Sequence, residues 1–452
     1  MFSAAGFALM FVACTVLAFA RHPIYGLGLY LAVFYIHPPS RWWGFMLPDL
    51  RWSFIAGAVA VLAVMLHHKK LDVGNRPWFR TVPGVALLVF VTWFWVQSLW
   101  ALYPDAHIDA AVQLTKYVIA FYLVYRLATG PAASTDILLL HVAGCAFLGA
   151  LCFYEGRSFG ARLDGVGGPG IDDANSLGMY LATGLAVGAV LLLTVRGWRR
   201  VALFIALPII LNGLFLTGSR GAFLGLLAGG AVVYFLAPPQ RKWIFWGFAV
   251  LGLVATVILV DDKFVDRMFS IKSAVESREE IDSSAESRLV LLEAQVRMAA
   301  RYPHGAGFRG TAALSREYLD EIWLWRSADG TKSGRSSHNT FMTALVEQGV
   351  LGAIIYIWLS LWGLSAVVRL KALQRRRLSV DLTGPAVACC AGIAVVWAAG
   401  QFTDYLQAEV QIWLLALLAA NLEHLRAVTA QGPDSTYGPP DPRLLMDARR
   451  AA

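Results

Sequence analysis

Three adjoining pieces, NSLGMYLATGLAVGAVLLLTV (Asn175–Val195), RGWRR (Arg196–Arg200) and VALFIALPIILNGLFL (Val201–Leu216), decide the fold. The outer two contain no charged residue and approach the roughly 20 apolar residues that an α-helix needs to cross a bilayer core. The middle piece concentrates three arginines in five residues, the mark of a loop held on the cytoplasmic side. The same alternation runs outward in both directions, with apolar runs from Ala4 to Val260 and again from Phe341 to Leu425. Of the 452 residues 58% are hydrophobic and 15% charged, and the mean hydropathy is +0.58, so the solvent to reason in is a membrane. Unpaired backbone groups are too costly in lipid for an open structure. Uncharged runs of helical length therefore imply a helix bundle and exclude a barrel, whose strands would be half as long and alternating.

Candidate spans run over 4–20, 23–36, 53–66, 85–100, 111–127, 137–153, 175–195, 201–216, 222–236, 243–260, 341–367, 385–399 and 410–425. Short runs such as 23–36 have the length of half-spans, so the expectation is an all-α polytopic membrane protein of about 12 transmembrane helices. Ala18-Phe19-Ala20 resembles a cleavage site, but no Lys or Arg precedes the apolar run, so it reads as a retained first helix. The basic loops at His67–Lys70, Arg196–Arg200, Arg241-Lys242 and Arg369–Arg377 alternate along the chain and mark the cytoplasmic side. The net charge of +8 is spread over these loops, which the membrane explains better than nucleic acid does. The five cysteines all lie in apolar runs without metal-ligand spacing and read as packing residues.

The outward side then receives Asp105 and Asp109, the Asp164–Asp173 loop, Gly218–Arg220, the Gln401–Glu409 loop and one long hydrophilic segment, Asp261–His338. Connections this long are functional or disordered. Ser287–Ala300 (SRLVLLEAQVRMAA) and Tyr318–Trp325 (YLDEIWLW) have the pattern of short amphipathic helices, so an ordered cap is expected. The organisation expected is a bundle over 1–260, a cap over 261–338, further spans over 339–425 and a disordered cytoplasmic tail over 426–452, where Gly432-Pro433 and Gly438-Pro439-Pro440 have linker composition.

Four places can carry chemistry. Ser337-His338-Asn339 stands where the long segment meets the next span, followed after nine residues by Gly349-Val350-Leu351-Gly352. An imidazole there can take a proton near neutral pH; the other reading is an interfacial His capping a helix that begins at Asn339 or Thr340, with the glycines serving only close helix packing. Thr217-Gly218-Ser219-Arg220-Gly221 puts an arginine on the outward side, against the usual bias, where a guanidinium can grip a phosphate or reach lipid headgroups. Arg288 follows Glu286-Ser287 at the start of the amphipathic run and by position alone reads as a solvated helix residue. Lys116 lies just inside a span, costly enough to suggest function, although it can also snorkel outward past Asp109. No Asp-x-Asp, zinc-protease, P-loop or dinucleotide motif is present, and the adjacent pairs Asp172-Asp173 and Asp261-Asp262 suit helix ends better than a metal, so metal-independent chemistry is expected.

Together these fragments resemble the O-antigen ligase and polymerase superfamily, through Ser219-Arg220-Gly221, Ser287-Arg288, the Pro303–Phe308 stretch (PHGAGF), and His338-Asn339 with Gly349 and Gly352. The N-terminal RHPIYGLGLYLAVFYIHPPSRWWGF (Arg21–Phe45) is also similar to exosortase-associated O-glycosylation ligases. The resemblance implies a GT-C-like bundle with one large helical periplasmic loop in a bacterial inner membrane. It implies metal-independent, inverting transfer of a glycan from undecaprenyl pyrophosphate to a lipid A-core hydroxyl. His338 would be the general base, and Arg220, Arg288 and Lys116 would hold the pyrophosphate, with Asn339, Ser219, Gly349 and Gly352 in support. Its partners would be the lipid-linked donor, the lipid A-core acceptor and membrane lipids, with no cofactor, no metal and no nucleic acid. An O-antigen polymerase or a protein O-oligosaccharyltransferase would use the same chemistry. A glycolipid transporter is the reading from another class, against which stands the gathering of polar residues at one face beside one cap.

Overall fold

The computed structural model describes residues 3–156, 163–243, 283–326, 332–375 and 379–430, with isolated positions from 246 to 252. The helices are α1 (Ala4–Ala20), α2 (Ile24–Ile36), α3 (Trp52–Leu66), α4 (Val82–Gln97), α5 (Pro104–Leu127), α6 (Pro131–Glu155), α7 (Ala174–Leu192), α8 (Trp198–Thr217) and α9 (Arg220–Leu236). They continue with α10 (Ser283–Arg301), α11 (Gly310–Tyr318), α12 (Thr340–Glu347), α13 (Gly349–Arg375), α14 (Val380–Ala399) and α15 (Glu409–Ala430). Among the described residues seven helices, α5 to α8 and α13 to α15, are long and apolar enough to cross a membrane, while α1, α3, α4 and α9 are shorter apolar helices. This is the all-α polytopic membrane class expected. The expected span over 243–260 falls mostly outside the described residues; of the tail expected over 426–452, residues 426–430 instead continue α15 and 431–452 lie outside the described residues.

The helices start where the chain supplies caps. Asp173 accepts from Asn175 N at 2.9 Å and Ser176 N at 3.1 Å, the Thr81 hydroxyl accepts from Gly84 N, and Pro104 and Pro131 stand at the first positions of α5 and α6, where no N–H is missed. The innermost helix, α7, is buried over nearly its whole length, with α14 and α15 beside it. Close packing rests on small residues. A Cβ on Gly225 of α9 would come within 2.7 Å of Val395 O on α14, and one on Gly229 within 2.8 Å of Val395 Cγ2. Cys145, Cys152, Cys389 and Cys390 are buried among these helices and unbridged.

Ion pairs and hydrogen bonds tie the basic loops into one face. Arg199 Nη1 lies 2.8 Å from Asp136 at the start of α6, Arg196 pairs with Asp381 at the start of α14, and Arg76 with Glu423 near the end of α15. Arg126 Nη2 donates to His68 O at 3.2 Å, and His22 lies within electrostatic reach of His67 and Lys70. The α1–α2 turn is therefore on the basic face, and the start of α1 points to the opposite one.

Three local expectations are corrected. The span drawn over 341–367 is two helices broken between Glu347 and Gly349, because Gly349 turns at φ +71°. The helix drawn over Tyr318–Trp325 lies earlier, as α11, and the stretch itself is a 3-10 turn (Glu321–Trp323) followed by a two-residue strand, Trp325–Arg326, paired antiparallel with Lys332–Ser333. Asp105 and Asp109, drawn as loop residues, belong to the first turns of α5, which begins at Pro104.

Candidate functional site

On the face opposite the basic loops, α10 and α11 form a cap with a small core of its own, in which Leu291, Ala294 and Met298 pack with Ala306, Leu314, Leu319 and Val346. The Pro303–Phe308 stretch seats this cap on the bundle. Its backbone is held from one side by the end of α4 and the turn into α5: Gln97 Nε2 donates to His304 O (3.1 Å), Trp100 Nε1 to Gly305 O (3.0 Å) and Leu102 N to Ala306 O (3.1 Å). From the other side it meets the α12–α13 break, through Ala306 N to Val346 O, Gly307 N to Glu347 O and Val350 N to Pro303 O, all 2.9–3.0 Å. His107 stacks on Phe94 and accepts from Phe308 N at 2.8 Å while its other ring nitrogen lies 2.7 Å from Phe94 O. The glycines are there for the close approach. Gly305, Gly307 and Gly349 all have positive φ, and a Cβ on Gly305 would fall 2.6 Å from Glu347 O and Gly349 N. Gly349 thus serves a backbone clamp rather than helix-to-helix packing, whereas Gly352 faces the preceding turn, where a Cβ would fall 2.2 Å from Gln348 Cβ.

Glu347 completes the clamp. Its buried carboxylate accepts from Arg309 N (3.0 Å) and Thr311 N (3.3 Å) at the start of α11. Burial, with Asp404 as a like-charged neighbour, pushes this acid up to about 8, and the two backbone N–H groups pull it back.

The His338 segment is strung between these elements. Ser337 Oγ accepts from the buried Gln295 Nε2 on α10 (2.9 Å) and donates to Asn339 O (3.0 Å). Asn339 caps α12 by accepting from Met342 N (3.0 Å), and its Nδ2 donates to Gln401 O and Oε1, both at 3.3 Å. Thr340 N donates to Gly400 O and Thr340 Oγ1 to Thr403 O, so the turn after α14 is fixed to the same helix start. Between these anchors His338 is half-buried. Burial first, then the guanidinium groups of Arg288 and Arg335, push its imidazole down to about 4, so it is neutral across the ordinary pH range. Arg288 lies within electrostatic reach of His338, and the cap of α12 is Asn339 rather than His338, the residue that the capping reading named.

Arg220 is the first residue of α9, capped by Ser219, whose hydroxyl also donates to Asn175 Oδ1 (3.1 Å). Gly221 lies so close to the turn after α14 that a Cβ would be 3.1 Å from Phe402 Cβ. The Gln401–Phe402 turn therefore links the start of α9 to Asn339, and Arg220 and His338 share one face of the molecule. No contact links Lys116 to them among the described residues. It is exposed on α5, and among the described residues its side-chain hydrogen bond goes to Gln113 Oε1 at 3.5 Å.

Sequence reasoning passed over Gln295, Arg335 and Asp404. Asp404 has a solvent-accessible carboxylate, yet the surrounding protein holds it up to about 6, against hydrogen bonds from Leu406 N (3.0 Å) and the Thr343 hydroxyl. The signal for Arg335 was available three residues before His338; for Gln295 and Asp404 the signal was tertiary. No group of three His, Cys, Asp or Glu side chains disposed to hold a metal occurs among the described residues.

Residues 205–357, from α8 into α13, match the family model described as O-antigen ligase. The chain is also 24% identical, over 326 residues, to the exopolysaccharide production protein ExoQ of Rhizobium meliloti (strain 1021), covering 66% of this chain and 69% of that one. Both findings support the O-antigen ligase superfamily that the motifs resemble, and a membrane enzyme of the polysaccharide ligase or polymerase type. Arg220, Arg288, Arg335 and His338 lie inside the family match; Lys116 and Asp404 lie outside it.

Proposed function

We propose that the protein is an O-antigen ligase: it transfers a glycan from undecaprenyl pyrophosphate to a sugar hydroxyl of lipid A-core at the periplasmic face of a bacterial inner membrane. The observation that carries the reading is a neutral imidazole, His338, held beside the Arg288 guanidinium on the face opposite the basic loops. An acceptor hydroxyl must lose its proton as it attacks the anomeric carbon, and a positioned base contributes roughly 10²- to 10⁴-fold. The departing pyrophosphate gains charge as the glycosidic bond breaks, and guanidinium forks from Arg288 and Arg220 stabilise it without a metal. One displacement inverts the anomeric centre. Lys116, exposed on α5, is the third cation assigned to the pyrophosphate. The positive-inside rule supports a cytoplasmic basic face, and hence the proposal that the cap and His338 face the periplasm.

The test is transfer by the purified protein in EDTA, with lipid A-core, repeat-unit lipid and a Ser/Thr-bearing protein offered in turn. Transfer to lipid A-core is expected; transfer to repeat-unit lipid alone would make the protein a polymerase, and to protein alone an O-oligosaccharyltransferase. Activity abolished by EDTA and restored by a divalent ion would overturn the metal-independent chemistry.

A further inference from the structure

We propose that Arg335 is a further anion-binding residue of this site, gripping the phosphate oxygens of the donor's pyrophosphate together with Arg288. This rests on reading the site as a pyrophosphate-handling centre.

The chain fixes Arg335 from both sides. Gly334 is pressed so tightly on α11 that a Cβ would lie 1.7 Å from Ala312 O, Arg335 N donates to Ser315 Oγ at 2.8 Å, and Ser337 is held by Gln295. The guanidinium itself is half-buried and little used. Its Nη1 donates to Trp323 O at a long 3.4 Å, and among the described residues no carboxylate pairs with it. A guanidinium carries five N–H donors and a permanent charge, and withdrawing it from water is costly unless an anion completes it. Arg288 and Arg335 both act on the charge of His338, so two cations and one neutral imidazole share a single neighbourhood. Such a gathering suits a ligand bearing several negative oxygens, which a planar fork can bind two at a time.

The probe is inorganic pyrophosphate, titrated calorimetrically into the full-length detergent-purified protein as wild type, Arg335→Gln and Arg316→Gln, the last an exposed arginine of α11. Arg335→Gln is expected to weaken binding at least about tenfold, the loss of one charge-assisted contact, and Arg316→Gln to leave it unchanged. Bound pyrophosphate should raise the pH at which His338 protonates in wild type and do so less in Arg335→Gln, which a merely structural role for Arg335 would not produce. Equal affinity in wild type and Arg335→Gln would overturn the proposal. If Arg335→Gln does not fold, Arg335→Lys retains the charge without the fork, and the same drop or its absence decides. Weakened pyrophosphate binding in a protein that transfers no glycan to any acceptor would keep the anion site and remove the ligase reading; unchanged binding with normal transfer would do the reverse.

Discussion

His338 owes its properties to its neighbours. Half-buried and facing Arg288 and Arg335, it is neutral down to about pH 4, which puts a base in the reactive form but also makes it a weak one. The sign of the pH dependence follows. Activity is lost when the imidazole protonates, so kcat/KM, which reports the free enzyme, should fall on the acid side near pH 4 rather than near the ordinary histidine value of about 6.5. A bound pyrophosphate offsets the two guanidinium charges, and the acid limb of kcat, which reports the bound complex, should therefore lie at higher pH. Rate profiles with a pH-inert acceptor measure both. A kcat/KM limb at about 6.5 would show that neither burial nor the arginines act on His338, and coincident limbs that no anion comes between them.

At the scale of elements, the sequence showed the helices well and their junctions poorly. Uncharged apolar runs determine helices in lipid because nothing else satisfies the backbone there, so 175–195 and 201–216 were legible as α7 (Ala174–Leu192) and α8 (Trp198–Thr217), with ends displaced by up to three residues. The break at Gly349 was not legible, since an apolar run across 341–367 has the same composition whether or not it bends; only the backbone of Pro303–Gly305, distant in sequence, shows why the turn is there. The same limit hid Gln295 and Asp404, whose significance lies in what they touch. Arg220 stood out in the sequence because an arginine on the outward face runs against the usual bias, and His338 because it stands where the long segment meets the next span. The clamp makes its own prediction. Gly349→Ala combines a left-handed backbone with a Cβ 2.5 Å from the His304 carbonyl carbon, and should cost about 2 kcal/mol or more. Gly74→Ala, also at positive φ but with open space around it, should cost only the backbone part. Thermal unfolding in detergent compares them, with cap proteolysis as a second readout; equal shifts would mean that the Gly349 contact does not hold the cap.

Over the whole molecule, the distribution of charge organises the fold. Arg76, Arg126, Arg196 and Arg199 gather with their acidic and carbonyl partners on one face, while the other carries the cap, the Gln401–Ala408 turn and the arginines that no positive-inside argument accounts for. Between the faces, polar side chains lock helices together. Tyr35 OH lies 2.6 Å from His141 Nδ1 and Thr183 Oγ1 3.2 Å from its Nε2, joining α2, α6 and α7, and Tyr30 OH donates to the Glu409 carboxylate at the start of α15. Buried groups of this kind are stable only when satisfied, and here they brace the bundle on which the cap and the His338 segment rest.

The central claim, that a neutral His338 takes the acceptor proton in a glycan transfer, is tested most directly by one comparison: transfer from undecaprenyl pyrophosphate to lipid A-core by wild type and by His338→Ala at matched folding. The account predicts transfer by wild type and a loss of at least about a hundredfold in the variant; equal activity in the two would contradict it, leaving His338 as no more than the residue before a helix cap.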